Sequence, residues 1–192
     1  MRKLLVSLFP AACAVWLAGC GTDAHYVNAS GNQVVTTVGE VNIQDFANAA
    51  DAMTRSLIDR EINTGDLRSG APGDKALLAI SLIKNETGEQ FDTDLLVKKI
   101  RVALLQTGKV YATTTGGFGG PEDPLAAANQ SNSRRPDYTL SGKIIESRTQ
   151  SGNLRQSAFV FQLSLTSAAN GIAVWEDEKT IVKQGTRPAV GF

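Results

Sequence analysis

Several groups of side chains in this sequence have types and spacings that could do chemistry. Leu17-Ala18-Gly19-Cys20 sets a thiol directly after two small residues. A membrane-embedded peptidase needs small side chains beside the bond it cuts. A thiol at the next position can accept a diacylglycerol before the cut, so Cys20 is expected to become a lipidated N-terminus. Ser81-Leu82-Ile83-Lys84 fits S-x-x-K, in which lysine activates a serine nucleophile. Glu176 and Glu178 are carboxylates at i and i+2, a pairing that acid–base chemistry could use. Gly116 to Gly120, with Phe118 at its centre, is glycine-rich as phosphate loops are. Arg134-Arg135 could dock an acidic partner, and His25 is the single imidazole.

Context removes most of these as catalysts. S-x-x-K works at a helix start, where i and i+3 share a face. Here it falls in an expected strand, where odd spacing sends Ser81 and Lys84 to opposite faces. The companion S-D-N and K-T-G motifs are absent. The glutamates read more simply as charges guarding an edge strand. The glycine run lacks the G-x-G-x-x-G register, a preceding strand and a following helix. His25 lies in a polar stretch, and without a cysteine cluster no typical zinc site can be assembled. The reading is therefore of a chain with no catalytic residue, no metal and no cofactor. Nineteen basic and nineteen acidic residues give zero net charge, which lacks the electrostatic footprint of a nucleic-acid binder.

The segments that hold these residues divide the chain. Arg2 and Lys3 precede an apolar run, Leu4 to Leu17, of the length of a secretory signal and too short for a span. Residues 1–19 are expected to be a signal peptide. Cys13 follows a shorter apolar run and is the weaker acylation candidate. Loss of the signal removes Arg2 and Lys3 and shifts the net charge from zero to −2. Gly21, where aspartate would favour the inner membrane, points to the outer membrane facing the periplasm. Residues 20–41 read as a polar tether, 42–184 as a folded domain and 185–192 as a tail. The domain is large enough to bury a core without disulfides.

Inside the domain, Asn42 reads as an N-cap with Asp45 in the first turn. Ile43, Phe46, Ala47, Ala50, Met53, Leu57 and Ile58 recur at helical spacing and predict a helix over 43–62. Lys75–Lys84 is a short apolar run between turn residues, a buried strand. A second helix follows over 94–107, with Leu95, Leu96, Ile100, Ala103 and Leu104 on one face and Lys98, Lys99 and Arg101 solvated. Gly108 stands at its C′ position. Residues 109–113 form a short strand, and 116–136 are irregular. Strands are expected over 137–149, 156–167 and 172–183. Ala169-Asn170-Gly171 reads as a tight turn that places Leu165 opposite Trp175. The order predicts an α+β domain, a single mixed β-sheet with helices packed on it.

The succession of motifs resembles the LpoB family, outer-membrane lipoproteins that activate bifunctional penicillin-binding proteins. The resemblance rests on Leu17–Cys20, Ser81–Gly88 (SLIKNETG), Ile100–Val110 (IRVALLQTGKV), Asp137–Ile144 (DYTLSGKI) and Phe161–Trp175 (FQLSLTSAANGIAVW), and spans about residues 43–183. It implies a fold like the N-terminal domain of TolB, and a class A penicillin-binding protein, a peptidoglycan synthase, as partner. Relatives carry a long proline-rich tether where this chain has about 20 residues, a reach of at most ~70 Å. Residues 116–136 are glycine-rich where relatives have more helix.

The expected function is therefore a non-enzymatic activator of a peptidoglycan synthase, anchored to the outer membrane through Cys20 and active in the periplasm. The alternative is a structural component of an envelope secretion or assembly complex using the same module. Arg134, Arg135 and Phe118 are the candidate partner contacts, because exposed loops often carry function. Replacement of Cys20 by alanine is expected to abolish incorporation of a fatty-acid probe and cleavage after Gly19. Label persisting on that variant would refute the assignment.

Overall fold

The computed structural model describes residues 42–114, 134–152 and 154–186. Two α-helices, α1 (Ile43–Leu57) and α2 (Asp94–Gln106), lie against a five-stranded sheet. Its strands are β1 (Ala76–Glu86), β2 (Val110–Thr114), β3 (Tyr138–Ser151), β4 (Leu154–Ser167) and β5 (Ala173–Thr186). They run in the order β2-β1-β3-β4-β5. β1 pairs in parallel with both β2 and β3, whereas β3, β4 and β5 form antiparallel hairpins. This is the mixed-sheet α+β architecture that the element order predicts.

α1 begins where Asn42, in an extended conformation, accepts a hydrogen bond from the Gln44 N–H at 3.0 Å. Phe46, Ala50, Met53 and Leu57 are fully buried, as their spacing requires. Phe46 anchors the helix to the sheet. Its ring stacks on Phe91 at 4.9 Å and meets Phe159 and Phe161 edge-on at 6.0 and 6.3 Å. Truncation of such a ring to alanine costs about 3–5 kcal/mol.

The helix does not run unchanged to residue 62. Residues 58–62 widen into a π-type turn in which the Asn63 N–H bonds to the Ile58 carbonyl. The reason is the core. In an α-helix the residue four beyond Leu57, Glu61, would face inward. The wider turn brings Ile62 inward instead, 4% exposed. On α2, Leu96, Val97, Ile100 and Leu104 face the sheet, while Leu95 points outward, contrary to its expected place on the buried face. Gly108 adopts φ +67 directly after the C-cap residue Thr107, as a C′ glycine should.

The strands differ from expectation in two ways. The β3–β4 hairpin closes around Gly152, at φ +57, so both strands extend to pair Ser151 with Leu154. β5 lengthens with them: Leu154 pairs with Thr186, so Gly185 and Thr186 belong to the sheet rather than to a loose tail. β1 also carries a bulge. Its register with β3 shifts between Ile80 and Ile83, and both isoleucines are buried although three residues apart. Simple alternation thus fails at Ser81-Leu82, and odd spacing there does not separate Ser81 from Lys84 by face. The β4–β5 hairpin places Leu165 opposite Trp175, as expected, with Gly171 at φ +72.

Gly142 of β3 sits where no side chain fits. A Cβ there would lie 2.6 Å from Leu163 Cδ2 and 3.0 Å from the Gln162 carbonyl oxygen. The Gly142→Ala variant is therefore expected to lose about 1–3 kcal/mol through overpacking. Thermal unfolding should show it as a drop of roughly 3–10 °C, and an unchanged midpoint would contradict the packing argument.

Candidate interaction surface

Among the described residues the helices cover one face of the sheet and nothing covers the other. Ile83, Ile144, Phe161 and Leu163 point into the core, so their strand neighbours point out. The pairing register aligns those outward residues in rows. Lys84, Lys143, Gln162 and Glu178 form one row across four strands. Ser141, Ser164 and Glu176 form the row on one side of it, and Glu86, Ile145, Val160 and Thr180 the row on the other. The first two of these rows line a shallow cleft of about 740 Å³. Both lysines lie toward β1 and β3, and both glutamates lie on β5.

This geometry decides the fate of the S-x-x-K match. Lys84 Nζ lies 2.6 Å from Glu86 Oε1. That hydrogen bond, with the attraction between the charges, raises the Lys84 pKa above its ordinary value. A lysine that must accept a proton from serine needs the opposite shift. The motif is blunted by its carboxylate neighbour, whatever face Ser81 takes. Glu178 accepts a hydrogen bond from Gln162 Nε2 at 3.0 Å. It and Glu176 stand exposed on β5, an edge strand among the described residues. Among the described residues no cluster of histidine, cysteine, aspartate or glutamate could hold a metal, and no helix is long and apolar enough to cross a membrane.

Of the expected contact residues, Arg134 is turned inward. Its guanidinium pairs with Asp74 at 2.7 Å and Asp137 at 2.5 Å, and donates to Ser69 Oγ at 2.7 Å. It ties the approach to β1 onto the start of β3. Arg135, next in sequence, is exposed. Phe118 and Cys20 lie outside the described residues.

Asp137 is the centre of that tie. Its carboxylate also accepts the backbone N–H groups of Gly70 at 2.9 Å and Leu77 at 2.8 Å. Burial works against the charge, but the two N–H groups and Arg134 outweigh it and hold the carboxyl below its usual range. A second tie joins β3 to the loop after β1. Glu146 accepts from the Gly88 N–H at 3.0 Å and from Arg148, which also faces Glu89 at 3.5 Å. Burial again opposes the charge, and Arg148 and the Gly88 N–H again lower the pKa. Each tie has one residue at the end of a segment that the sequence marked out: Asp137 opens DYTLSGKI and Gly88 closes SLIKNETG. The pairing itself, across roughly 60 residues, had no sequence signal.

These same segments lie within a larger match. The family model described as the peptidoglycan-synthase activator LpoB matches residues 45–181. The chain belongs to the LpoB family. The matched span begins within α1, ends within β5 and takes in every described element between them. Among solved structures, the chain is similar to the LpoB C-terminal domain from Salmonella enterica, at 17% identity and a TM-score of 0.42. That match covers 71% of this chain and 98% of the other. It is also similar to LpoB from Escherichia coli solved by NMR, at 16% identity and a TM-score of 0.40, over 95% and 91% of the two chains. No curated protein matches the sequence.

The half-buried carboxylates of Asp137 and Glu146 carry a pH dependence with a defined sign. A folded-state pKa below the unfolded one gives stability that is complete above the ordinary carboxylate range and is lost as pH falls through the lowered value. Acid titration of unfolding is expected to show declining stability below about pH 4. Asp137→Asn should cost about 2 kcal/mol at neutral pH and flatten that decline. A variant with unaltered acid sensitivity would show that Asp137 does not carry it.

Proposed function

We propose that this chain is a periplasmic activator of a class A penicillin-binding protein, held at the outer membrane by lipid on Cys20. The observation that carries the reading is the family match, which extends over the folded domain from α1 into β5. The blunted serine–lysine pair agrees with a binding role rather than an acylating one. In this reading residues 1–19 direct export, residues 20–41 tether the domain and residues from Asn42 onward make the contact.

Activation by binding has a thermodynamic requirement. The domain must bind the active conformation of the synthase more tightly than the inactive one. A tenfold shift between them needs about 1.4 kcal/mol of differential affinity, which a few well-placed contacts can supply. Arg135 and Phe118 are the side chains to replace first in locating them. Arg134 is a poorer probe, because its loss would also release the loop that leads into β1.

The short tether assigns the lipid a role in location and the domain a role in stimulation. A soluble version starting at Val41, which retains the Asn42 cap, is expected to stimulate glycan polymerisation by the cognate bifunctional synthase in vitro, where distance has no effect. Failure to stimulate any bifunctional synthase of the source organism would sink the activator reading. Co-purification with a secretion channel would favour the assembly-complex reading in its place.

A further inference from the structure

The turn between β4 and β5 is built from the dipeptide of this chain most prone to modify itself. Asn170-Gly171 is the only Asn-Gly pair in the sequence. The glycine supplies the positive φ, +72, with which the chain enters β5. The asparagine supplies a side-chain carbonyl that accepts the Ile172 N–H at 3.0 Å, an Asx turn. The same two residues carry a reactive pairing. Glycine has no side chain to shield its backbone nitrogen, and that nitrogen can close a five-membered ring on the asparagine side-chain carbon. Both residues are exposed, so water and base have access to them.

We propose that Asn170 is a site of spontaneous deamidation, latched shut by the folded turn and released when this end of the β4–β5 hairpin opens. The Gly171 nitrogen gives its proton to base and attacks Asn170 Cγ. The bond from Cγ to the side-chain nitrogen breaks, and ammonia leaves with a proton returned from the base. One water then opens the cyclic imide at either carbonyl, giving aspartate or isoaspartate. In the folded turn both reacting groups are engaged. The Gly171 N–H donates to the Ser167 carbonyl at 2.9 Å, so the nucleophile cannot lose its proton while that bond stands. The Ile172 N–H pins the Asn170 side chain, which must swing its carbon over the glycine nitrogen to react. The Ser167 N–H closes the loop on the Ile172 carbonyl at 2.8 Å, and the Ala168 N–H fastens it to the Asp137 carbonyl at 2.9 Å. The latch is thus attached to the residue that ties β3 to β1. Either product adds a negative charge at the turn. Isoaspartate also lengthens the backbone by one carbon, which the closed Ser167–Ile172 loop has no place for. A molecule that has opened here is therefore marked permanently. The inference stands apart from the activator reading, since it uses only the turn and its hydrogen bonds.

Peptide mass spectrometry of the full chain in detergent, aged in mildly alkaline buffer, tests it. In urea, with unfolding checked by far-UV circular dichroism, the peptide carrying Asn170 should show the amide-to-acid mass change and separate into two isomers. The folded chain should convert at Asn170 at least tenfold more slowly, the factor that an opening free energy of about 1.4 kcal/mol gives. Native-state hydrogen exchange of the Gly171 amide should be slowed at least as far as this same factor of about ten, because the same opening frees that N–H. In urea, Gly171→Ala should convert about tenfold more slowly than the unmodified chain, because a Cβ crowds the attacking nitrogen. That comparison is made on unfolded chains, so strain at the positive φ does not enter it. Equal rates in the folded and unfolded chain, a Gly171 amide that exchanges freely, no conversion at Asn170 in urea, or a Gly171→Ala rate unchanged in urea would each overturn the proposal.

Discussion

The fold depends on bringing β3 beside β1 in parallel. A parallel pair has no tight turn to set its register, so the register must come from side chains or long-range packing. Here one aspartate does much of that work. Asp137 accepts the Leu77 N–H through its side chain and donates its own N–H to the Leu77 carbonyl, which fixes the first rung of the pair. Its second carboxylate oxygen holds the Gly70 N–H, and Arg134 neutralises the charge from the other side. Once β3 is placed, β4 and β5 follow by antiparallel hairpins that need only local turns. At the far end of β1 the Gly88–Glu146 contact repeats the device, so both ends of the parallel pair are held.

Two local irregularities follow from the same need to fill one core. The π-type turn after Leu57 brings Ile62 inward, and the β1 bulge brings Ile83 inward after Ile80. In each case an inserted residue shifts the period so that an apolar side chain reaches the interior. The bulge also determines what the open face contains, because it sets which β1 side chains align with Lys143 and beyond. The electrostatic face is thus a consequence of how the core was packed behind it.

For function, the arrangement separates two roles. The half-buried carboxylate ties hold both ends of the β1–β3 pair, and their residues are engaged within the molecule. The exposed rows of the open face and the exposed Arg135 remain for contact with other molecules. Nothing in this division requires chemistry at a reacting centre. A family defined by activation of synthases fits a domain that works through its surface.

The sequence by itself determined the element order, the α1 cap, the C′ glycine after α2, the Leu165–Trp175 rung and the family motifs. These are local: caps, turns and hairpin registers depend on residues close together in the chain. It also held the Cys20 motif, whose chemistry needs only neighbouring residues. The tertiary structure decided that Arg134 points inward and that Lys84 is paired with Glu86 at the exposed end of a non-alternating central strand. It also decided that Lys84, Lys143, Gln162 and Glu178 share a row. The Arg134–Asp74 pair and the shared row depend on a bulge, a crossover and partners 16 to 60 residues away. A periodic pattern cannot count an extra residue in a bulge, and one inserted position moves every later side chain to the other face.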